Sequence, residues 1–123
     1  FMPFGPIIIS YLAKKCLKNY KKNISSQHMT LTYCATNFLK KKTPAIIHLD
    51  GTVRPQIVEK SDNPFMYNLL DFVYKKYGVP CLVNTSFNVH ETPIVNSEID
   101  AFECLKKKAV DYLVSNPYII NYK

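Results

Sequence analysis

The chain has 123 residues, 47% of them apolar and 13% aromatic, and its formal net charge is +7. This length suits one globular domain with a core of its own, and no apolar run approaches the roughly 18 residues that a membrane span requires. The excess positive charge favours an anionic partner, such as a nucleotide, a phosphate, nucleic acid or a membrane surface, without choosing among them.

The four cysteines indicate a reducing compartment. They are scattered along the chain without a Cys-x-x-Cys pair, so we expect buried free thiols and neither a disulfide framework nor a zinc site. They are Cys16, Cys34, Cys81 and Cys104. No signal peptide is visible, and we expect a cytoplasmic protein. The chain opens on an apolar segment without an initiator methionine, which predicts that it is a piece of something longer.

The first elements predicted are a strand and a helix. Residues 4–9 are an apolar run punctuated by proline and glycine, which favours a short strand. From about residue 10 the apolar side chains recur with a helical period, and most lysines lie off that stripe. This pattern is typical of an amphipathic helix with a solvated basic face. Its apolar stripe is Ile9, Leu12, Cys16 and Tyr20.

The next segments predict a loop, a strand and a hairpin. Residues 23–27 are polar and loop-like, and residues 29–36 alternate between apolar and polar side chains, as a half-buried strand does. Two apolar runs, residues 45–49 and 52–58, flank Asp50-Gly51, a pair that favours a tight turn with a positive φ.

The length of the hairpin loop decides which side chains share a face. A two-residue loop leaves His48 and Arg54 on opposite faces, whereas a three-residue loop ending at Thr52, with a bulge, brings them to one face. Arg54 is the single arginine among 16 basic residues, which makes it the candidate for bidentate recognition of a phosphate or carboxylate. Its alternative is a surface strand residue. His48 and Asp50 have no further ligand nearby, so no metal site is predicted.

A second helix is predicted over residues 64–77. Asn63 or Asp62 caps its start, and Gly78 ends it. The buried stripe expected from the spacing is Met66, Leu69, Leu70, Val73 and Tyr77.

That helix leads directly into a predicted buried strand over residues 79–83. The loop that follows, Asn84-Thr85-Ser86-Phe87-Asn88, offers two amides and two hydroxyls without adding charge, as a site for a polar or anionic ligand needs. It follows the carboxyl end of a strand, where ligands gather in open α/β sheets. The alternative is a turn stabilised by its own Asn, Ser and Thr side chains.

The last third predicts one more helix and two strands. Residues 92–95 are short and extended, and residues 110–115 and 118–120 finish as strands. Ser97 caps the intervening helix. The apolar face of that helix is Ile99, Phe102 and Leu105. No phosphate-binding glycine loop, nucleophile elbow or acid–base pair is present, so the residues alone indicate an α/β module with an anion or nucleotide site.

Two stretches resemble a known family. Residues 44–56 (PAIIHLDGTVRPQ) and 78–88 (GVPCLVNTSFN) are similar to the paired signatures of the C-terminal domain of nodulation-type O-carbamoyltransferases. That family modifies Nod factors and several antibiotics. Shorter matches occur in family order at residues 3–6, 29–31, 63–64, 93–95 and 111–114. Each motif is weak alone, but their order and spacing together are specific.

The resemblance implies a fold and a reaction. The fold is α/β, a twisted mixed sheet with flanking helices, YrdC-like and incomplete on the N-terminal side. Residues 1–123 are then a single domain, the C-terminal fragment of a carbamoyltransferase that condenses carbamoyl phosphate with ATP, with Mg²⁺, to give carbamoyl adenylate and pyrophosphate. A metal-bearing, Kae1-like N-terminal domain of the same parent chain passes the carbamoyl group to a substrate hydroxyl.

The resemblance also implies the site residues. Arg54 would neutralise phosphate oxygens as charge develops, and Arg54 and Ser86 are the implied catalytic residues. The site holds no metal ligand. The other implied contacts to carbamoyl phosphate and ATP are Asn84, Thr85, Asn88 and His48, with Ser86 binding as well.

Three departures from the family pattern weaken the implied phosphate grip. Most members read Arg-Gly-Glu-Pro where this chain has His90-Glu91-Thr92-Pro93, and many have arginine in place of Met2. The lysine and arginine expected just upstream precede residue 1. We therefore expect this piece alone to bind carbamoyl phosphate weakly and to be inactive.

Two alternatives come from other classes. A basic YrdC-like module that binds RNA would show one continuous lysine patch and steeply salt-dependent binding. Scattered lysines favour the carbamoyltransferase over a nucleic-acid partner, and no membrane partner is expected. A scaffold that has lost activity is suggested by the departure at residues 90–92.

Overall fold

A computed structural model of the chain describes residues 4–89 and 91–122. The chain forms two compact units, Phe1–Thr85 and Ser86–Lys123. That residues 1–123 are a single domain stays a prediction. Met2, Pro3 and His90, which enter the comparison with the family pattern, lie outside the described residues.

The described residues form four α-helices and seven strands. The helices are α1 (Ala13–Cys16), α2 (Asn37–Lys42), α3 (Pro64–Tyr77) and α4 (Glu98–Lys106). The strands are β1 (Gly5–Ile9), β2 (Tyr33–Cys34), β3 (Thr52–Val53), β4 (Gln56–Val58), β5 (Cys81–Asn84), β6 (Leu113–Ser115) and β7 (Tyr118–Ile120). None of the helices in this part of the chain is long and apolar enough to span a membrane.

The first unit is built on β1, the middle strand of a three-stranded sheet in the order β4-β1-β5. All five β1 residues are buried, because a central strand covered on both faces needs a continuous apolar run. β1 pairs in parallel with β4 and antiparallel with β5. The predicted mixed sheet with flanking helices is therefore confirmed.

The predicted hairpin over residues 45–58 is wrong in its pairing. β3 pairs with β2, and β4 pairs with β1. Residues Pro44–Ile46 form a short 3-10 helix, since proline is favoured in a first helical turn. Between β3 and β4 lies Pro55, which lacks the N–H needed to continue one ladder, so the chain changes sheets there. The tight turn itself is present, with Gly51 at a φ of 81°.

The first predicted helix ends early. α1 stops at Cys16, and Leu17 takes an extended conformation and bridges Ala35. Leu17 is 1% exposed, so burial in this pairing outweighs one further helical turn that would have reached Tyr20. The strand predicted over residues 29–36 is reduced to β2, and residues Ile24–His28 form a 3-10 helix where a loop was expected.

α3 has the predicted bounds and caps. Asn63 Oδ1 accepts the Met66 N–H at 3.0 Å, and Gly78 ends the helix at a φ of 68°. The buried face is only partly as predicted. Leu70 is buried and Met66 packs against the core, but Leu69 and Tyr77 are exposed. Tyrosines take their place on the buried side, Tyr67 and Tyr74, each with its ring centroid 6.4 Å from that of Tyr11.

The second unit contains α4 and an antiparallel hairpin of β6 and β7. Ser97 caps α4 as predicted, its Oγ accepting the Asp100 N–H at 3.1 Å. Leu105 is buried as expected, whereas Ile99 and Phe102 are exposed. Their predicted core positions are filled by smaller side chains, Ala101 and Cys104. Residues 92–95 form no strand.

Three of the four predicted buried thiols are buried, and Cys34 is exposed. Burial, with Cys81 nearby, raises the pKa of Cys16 to about 12. The thiol form of Cys16 is therefore the one that the core accommodates.

The α3 packing predicts a difference between two neighbouring leucines. Leu70→Ala should lower the free energy of unfolding by about 3 kcal/mol, because it opens a cavity in the core. Leu69→Ala, the same change at a 38% exposed position, should cost less than about 1 kcal/mol. Urea denaturation of the two variants measures this. Equal losses would contradict the observed orientation of α3.

Candidate functional site

Two side-chain amides meet across the central strand where β5 ends. The Nδ2 of Asn84 donates a 2.6 Å hydrogen bond to the Oε1 of Gln56, the first residue of β4. Asn84 pairs with Gly5 on β1, and Gln56 pairs with Ile7. Paired residues, and residues two apart on one strand, point to the same face of a sheet. Both carboxamides therefore reach over one face of β1.

The absence of a side chain at Gly5 leaves room for Met29 to contact Asn84. A Cβ at Gly5 would collide with the terminal methyl of Met29 and lie 3.2 Å from the Arg54 carbonyl oxygen. Met29 has a φ of 56°, which is uncommon for a residue other than glycine, and its sulfur lies 3.6 Å from Asn84 Nδ2. Gly5, Met29 and Gln56 together fix the Asn84 carboxamide.

A cavity of about 420 Å³ lies beside this amide pair, entirely within the first unit. Its apolar wall comes from β1, β4 and α3 through Ile7, Ile57, Val58 and Met66. The polar side chains that line it are Gln27, His28, Gln56, Glu59, Asp62, Asn63 and Asn84.

Two carboxylates line the cavity, and one of them is paired with a lysine. Glu59 forms an ion pair with Lys22 at 2.9 Å, and Asp62 accepts a 2.8 Å hydrogen bond from Gln27 Nε2. No lysine or arginine is among the described residues that line the cavity. The electrostatics of this wall favour a neutral or hydrogen-donating group over a free phosphate.

Arg54 lies between β3 and β4 and is exposed. Val53, Pro55 and Ile57 are buried, so alternation along the chain places Arg54 and Gln56 on the opposite, more open side. Within residues 4–89 and 91–122 the guanidinium makes no hydrogen bond or ion pair. Its charge is available to a ligand.

His48 belongs to a hydrogen-bonded turn. Its backbone N–H donates to the Thr52 carbonyl at 2.9 Å, and its carbonyl accepts the Gly51 N–H at 2.8 Å, so His48 faces Thr52 across residues 49–51. The two predicted loops are both wrong, because His48 is not paired with Arg54 and the three-residue loop does not end at Thr52. The Thr52 hydroxyl donates to Asp50 at 2.7 Å and lies 3.0 Å from His48 Nδ1, which is therefore the donor of that pair. The buried Nε2 has no partner among the residues described.

The remaining predicted site residues flank the boundary between the units. Asn84 is half-buried and Thr85 exposed at the end of the first unit. Ser86 is exposed at the start of the second. Asn88 Nδ2 donates to the carbonyls of Val89 and Thr92 at 3.0 and 2.9 Å, so this amide stabilises its own loop.

Within the first unit no described hydrogen bond joins the side chains of His48, Arg54 and Asn84. The structure instead joins Asn84 to Gln56 and Met29, which the sequence analysis had not assigned to the site. Gln56 ends the first signature stretch, and that position was the available signal. The sequence contains no signal for the contact between Met29 and Asn84, because this contact depends on a left-handed backbone at Met29 and on the glycine at position 5.

The direction of β5 changes one expectation. β5 runs antiparallel to β1, so Asn84, the last residue of β5, lies beside Gly5, the first residue of the central strand. The rule for ligands at the carboxyl edge of a parallel sheet does not apply there. Asn84 is placed instead by antiparallel pairing with a glycine.

A metal site is not formed by the part of the chain that the structure describes. No three of its His, Cys, Asp or Glu side chains are grouped to hold an ion. The donor set is one of amides, a guanidinium and hydroxyls, which suits a polar organic or phosphorylated ligand.

The chain belongs to the carbamoyltransferase C-terminal domain family. The family model described as "Carbamoyltransferase C-terminus" matches residues 1–122. This match confirms the family to which the two signature stretches pointed.

Individual relatives match the same part of the chain. An uncharacterized protein of Methanocaldococcus jannaschii is 35% identical over 98% of this chain and 23% of its own length. Nodulation protein NolO of Bradyrhizobium diazoefficiens is 38% identical over 62% of this chain and 14% of its own. A 3'-hydroxymethylcephem-O-carbamoyltransferase of Amycolatopsis lactamdurans is 33% identical over 57% and 14%. The chain thus spans less than a quarter of the length of these relatives.

The turn at Asp50 predicts a measurable pKa. Hydrogen bonds from the Thr52 hydroxyl and N–H hold the pKa of Asp50 below its ordinary 3.8. The contribution of Asp50 to stability is therefore present above that value and lost as the pH falls through the lower, folded-state pKa. Thr52→Val should raise the pKa of Asp50, as followed by the carboxyl ¹³C shift in an NMR titration. Thr32→Val, at an exposed threonine, is the control and should leave it unchanged; a pKa equally unmoved by Thr52→Val would contradict the assignment.

Proposed function

We propose that this chain is the C-terminal part of an O-carbamoyltransferase and helps to form carbamoyl adenylate from carbamoyl phosphate and ATP. The observation that carries the proposal is the fixed Asn84–Gln56 amide pair beside a cavity, with the exposed guanidinium of Arg54 two residues before Gln56. Membership of the family supports it.

The proposed reaction consumes one water. The water oxygen bonds to the phosphorus of carbamoyl phosphate as the bond from that phosphorus to the carbamate oxygen breaks, which releases inorganic phosphate. The resulting carbamate oxygen bonds to the α-phosphorus of ATP, and the bond from that phosphorus to the β-phosphate bridge breaks. The products are carbamoyl adenylate, pyrophosphate and phosphate. This chemistry needs positioning and charge stabilisation more than it needs an acid or base.

The predicted site residues other than Asn84 have the following roles in the proposal. Arg54 neutralises phosphate oxygens as charge develops, because a guanidinium grips them with two parallel hydrogen bonds. Ser86 donates a hydrogen bond to the reacting group from an exposed loop position. Thr85, Asn88 and His48 support the binding of carbamoyl phosphate and ATP from the 84–88 loop and the Thr52 turn.

The acceptor and the second step belong to a longer protein. The relative from Amycolatopsis lactamdurans is named for transferring a carbamoyl group to a hydroxymethyl oxygen, and we propose that the longer protein likewise acts on a hydroxyl group. A Kae1-like N-terminal domain of that protein would perform the transfer. Mg²⁺ enters as the counter-ion of ATP and is not held by a ligand set of the described residues.

The test is exchange of labelled pyrophosphate into ATP that depends on carbamoyl phosphate, measured in the full-length protein that carries residues 1–123. Arg54→Ala should lower the exchange rate about 100-fold, because a charge facing the phosphates is lost. Arg54→Lys should recover part of it, since lysine keeps the charge but not the bidentate geometry. Ser86→Ala should lower it about tenfold.

Lys18→Ala is the matched control, because it removes one positive charge from an exposed position of the same unit and should leave the exchange unchanged. Exchange unaffected by both Arg54→Ala and Ser86→Ala would refute the assigned residues. A native protein without exchange that binds RNA with a steep salt dependence would favour the RNA-binding alternative.

A further inference from the structure

The carboxamide of Asn84 has its two N–H donors occupied within the protein. One faces Gln56 Oε1 at 2.6 Å and the other faces Met29 Sδ at 3.6 Å. A thioether sulfur carries no hydrogen to donate, so the atom that faces it is the nitrogen of the amide and not the oxygen. The contacts to Gln56 and Met29 thereby fix which end of Asn84 is left for a ligand.

The free end of Asn84 is an acceptor. Its Oδ1 makes no hydrogen bond to the residues that the structure describes, and Asn84 lines the 420 Å³ cavity. An amide oxygen accepts hydrogen bonds and repels the oxygens of a phosphate, which carry no hydrogen above neutral pH. The carboxylate of Asp62 on the same wall acts in the same direction, whereas the charge of Glu59 is balanced by Lys22.

We propose that Asn84 recognises the amino group of the carbamoyl moiety by accepting a hydrogen bond from it, and does not bind phosphate. This inference rests on the proposed function. It assigns the two halves of carbamoyl phosphate to different parts of the first unit: the neutral carbamoyl group to the Asn84 oxygen, and the phosphate to the exposed guanidinium of Arg54.

Gln56 is the positioning residue of this arrangement. Its Oε1 holds one N–H of Asn84 and so keeps the Asn84 oxygen turned outward. Gln56 sits on β4, locked into the parallel ladder with Ile7, so its own side chain starts from a rigid backbone. Its effect on the ligand passes through Asn84.

The test compares two ligands that differ at one group. Acetyl phosphate has a methyl group where carbamoyl phosphate has its amino group, and both present the same carbonyl and phosphate. Their dissociation constants are measured in the full-length protein by competition in the exchange assay. The native protein should prefer carbamoyl phosphate about tenfold, the effect of one hydrogen bond with an otherwise unpaired acceptor.

Asn84→Leu removes the acceptor at nearly constant size. It should weaken carbamoyl phosphate binding about tenfold and leave acetyl phosphate binding unchanged, so that the preference disappears. Asn84→Asp keeps an acceptor oxygen and should keep the preference. Asn68→Leu, the same change at an exposed position of α3, should alter neither constant. The ratio of the two constants is independent of the folded fraction, so partial misfolding of a variant does not imitate the effect.

Substitutions of Gln56 provide a second test in the same binding experiment. Gln56→Leu should reduce the preference, and Gln56→Glu should retain it, because a carboxylate oxygen still accepts the Asn84 N–H. In the Asn84→Leu background, Gln56→Leu should change the ratio no further, as a residue that acts through Asn84 requires.

The possible failures are separable. A native protein without carbamoyl phosphate-dependent exchange refutes the proposed function. Exchange with a carbamoyl-to-acetyl ratio that Asn84→Leu leaves unchanged refutes this inference alone, since Asn84 would then contact phosphate, nucleotide or neither. If Asn84→Leu instead abolishes the preference for ATP over purine riboside triphosphate, which lacks the adenine amino group, the assignment to the carbamoyl group is overturned.

Discussion

The burial of a single short strand determines most of the first unit. β1 has no exposed residue, and its two neighbours run in opposite directions along it. A strand paired on both edges has little freedom of register, because a slip by one residue would disturb both ladders and move Gly5 away from Met29, where a Cβ would collide. Gly5 and Ile7 therefore stand at fixed positions opposite Asn84 and Gln56. The pairing of the buried strand β1 with β4 and β5 therefore sets the distance between the Asn84 and Gln56 side chains.

The features that depend on a few neighbouring residues were predicted correctly from the sequence. The Asn63 and Ser97 caps, the glycine after α3 and the apolar run of β1 all occur where expected, because each depends on a few neighbouring residues. The hairpin failed for the opposite reason. Two apolar runs around Asp50-Gly51 favour a hairpin in isolation, but β3 and β4 gain partners from distant segments.

The sequence predicts those parts of the site that depend on local composition, and not those that depend on contacts between distant residues. The density of amides and hydroxyls in residues 84–88 is visible in the sequence, and so is the lone arginine. The partnership of Asn84 with Gln56 is not, because it joins strands 28 residues apart across a third strand. The buried faces of α3 and α4 were misjudged where tyrosine or small side chains fill the core in place of larger aliphatic ones. Periodicity identifies a helix face but not which of two amphipathic stripes the core accepts.

Pro55 gives Arg54 an unusual mechanical setting. Val53 is paired in one ladder and Gln56 in another, and Pro55 between them is fully buried. Buried residues thus flank the backbone of this exposed cation on both sides, although its side chain makes no hydrogen bond or ion pair with the residues described. The backbone at Arg54 therefore loses little conformational entropy when the guanidinium binds an anion, which lowers the entropic cost of binding.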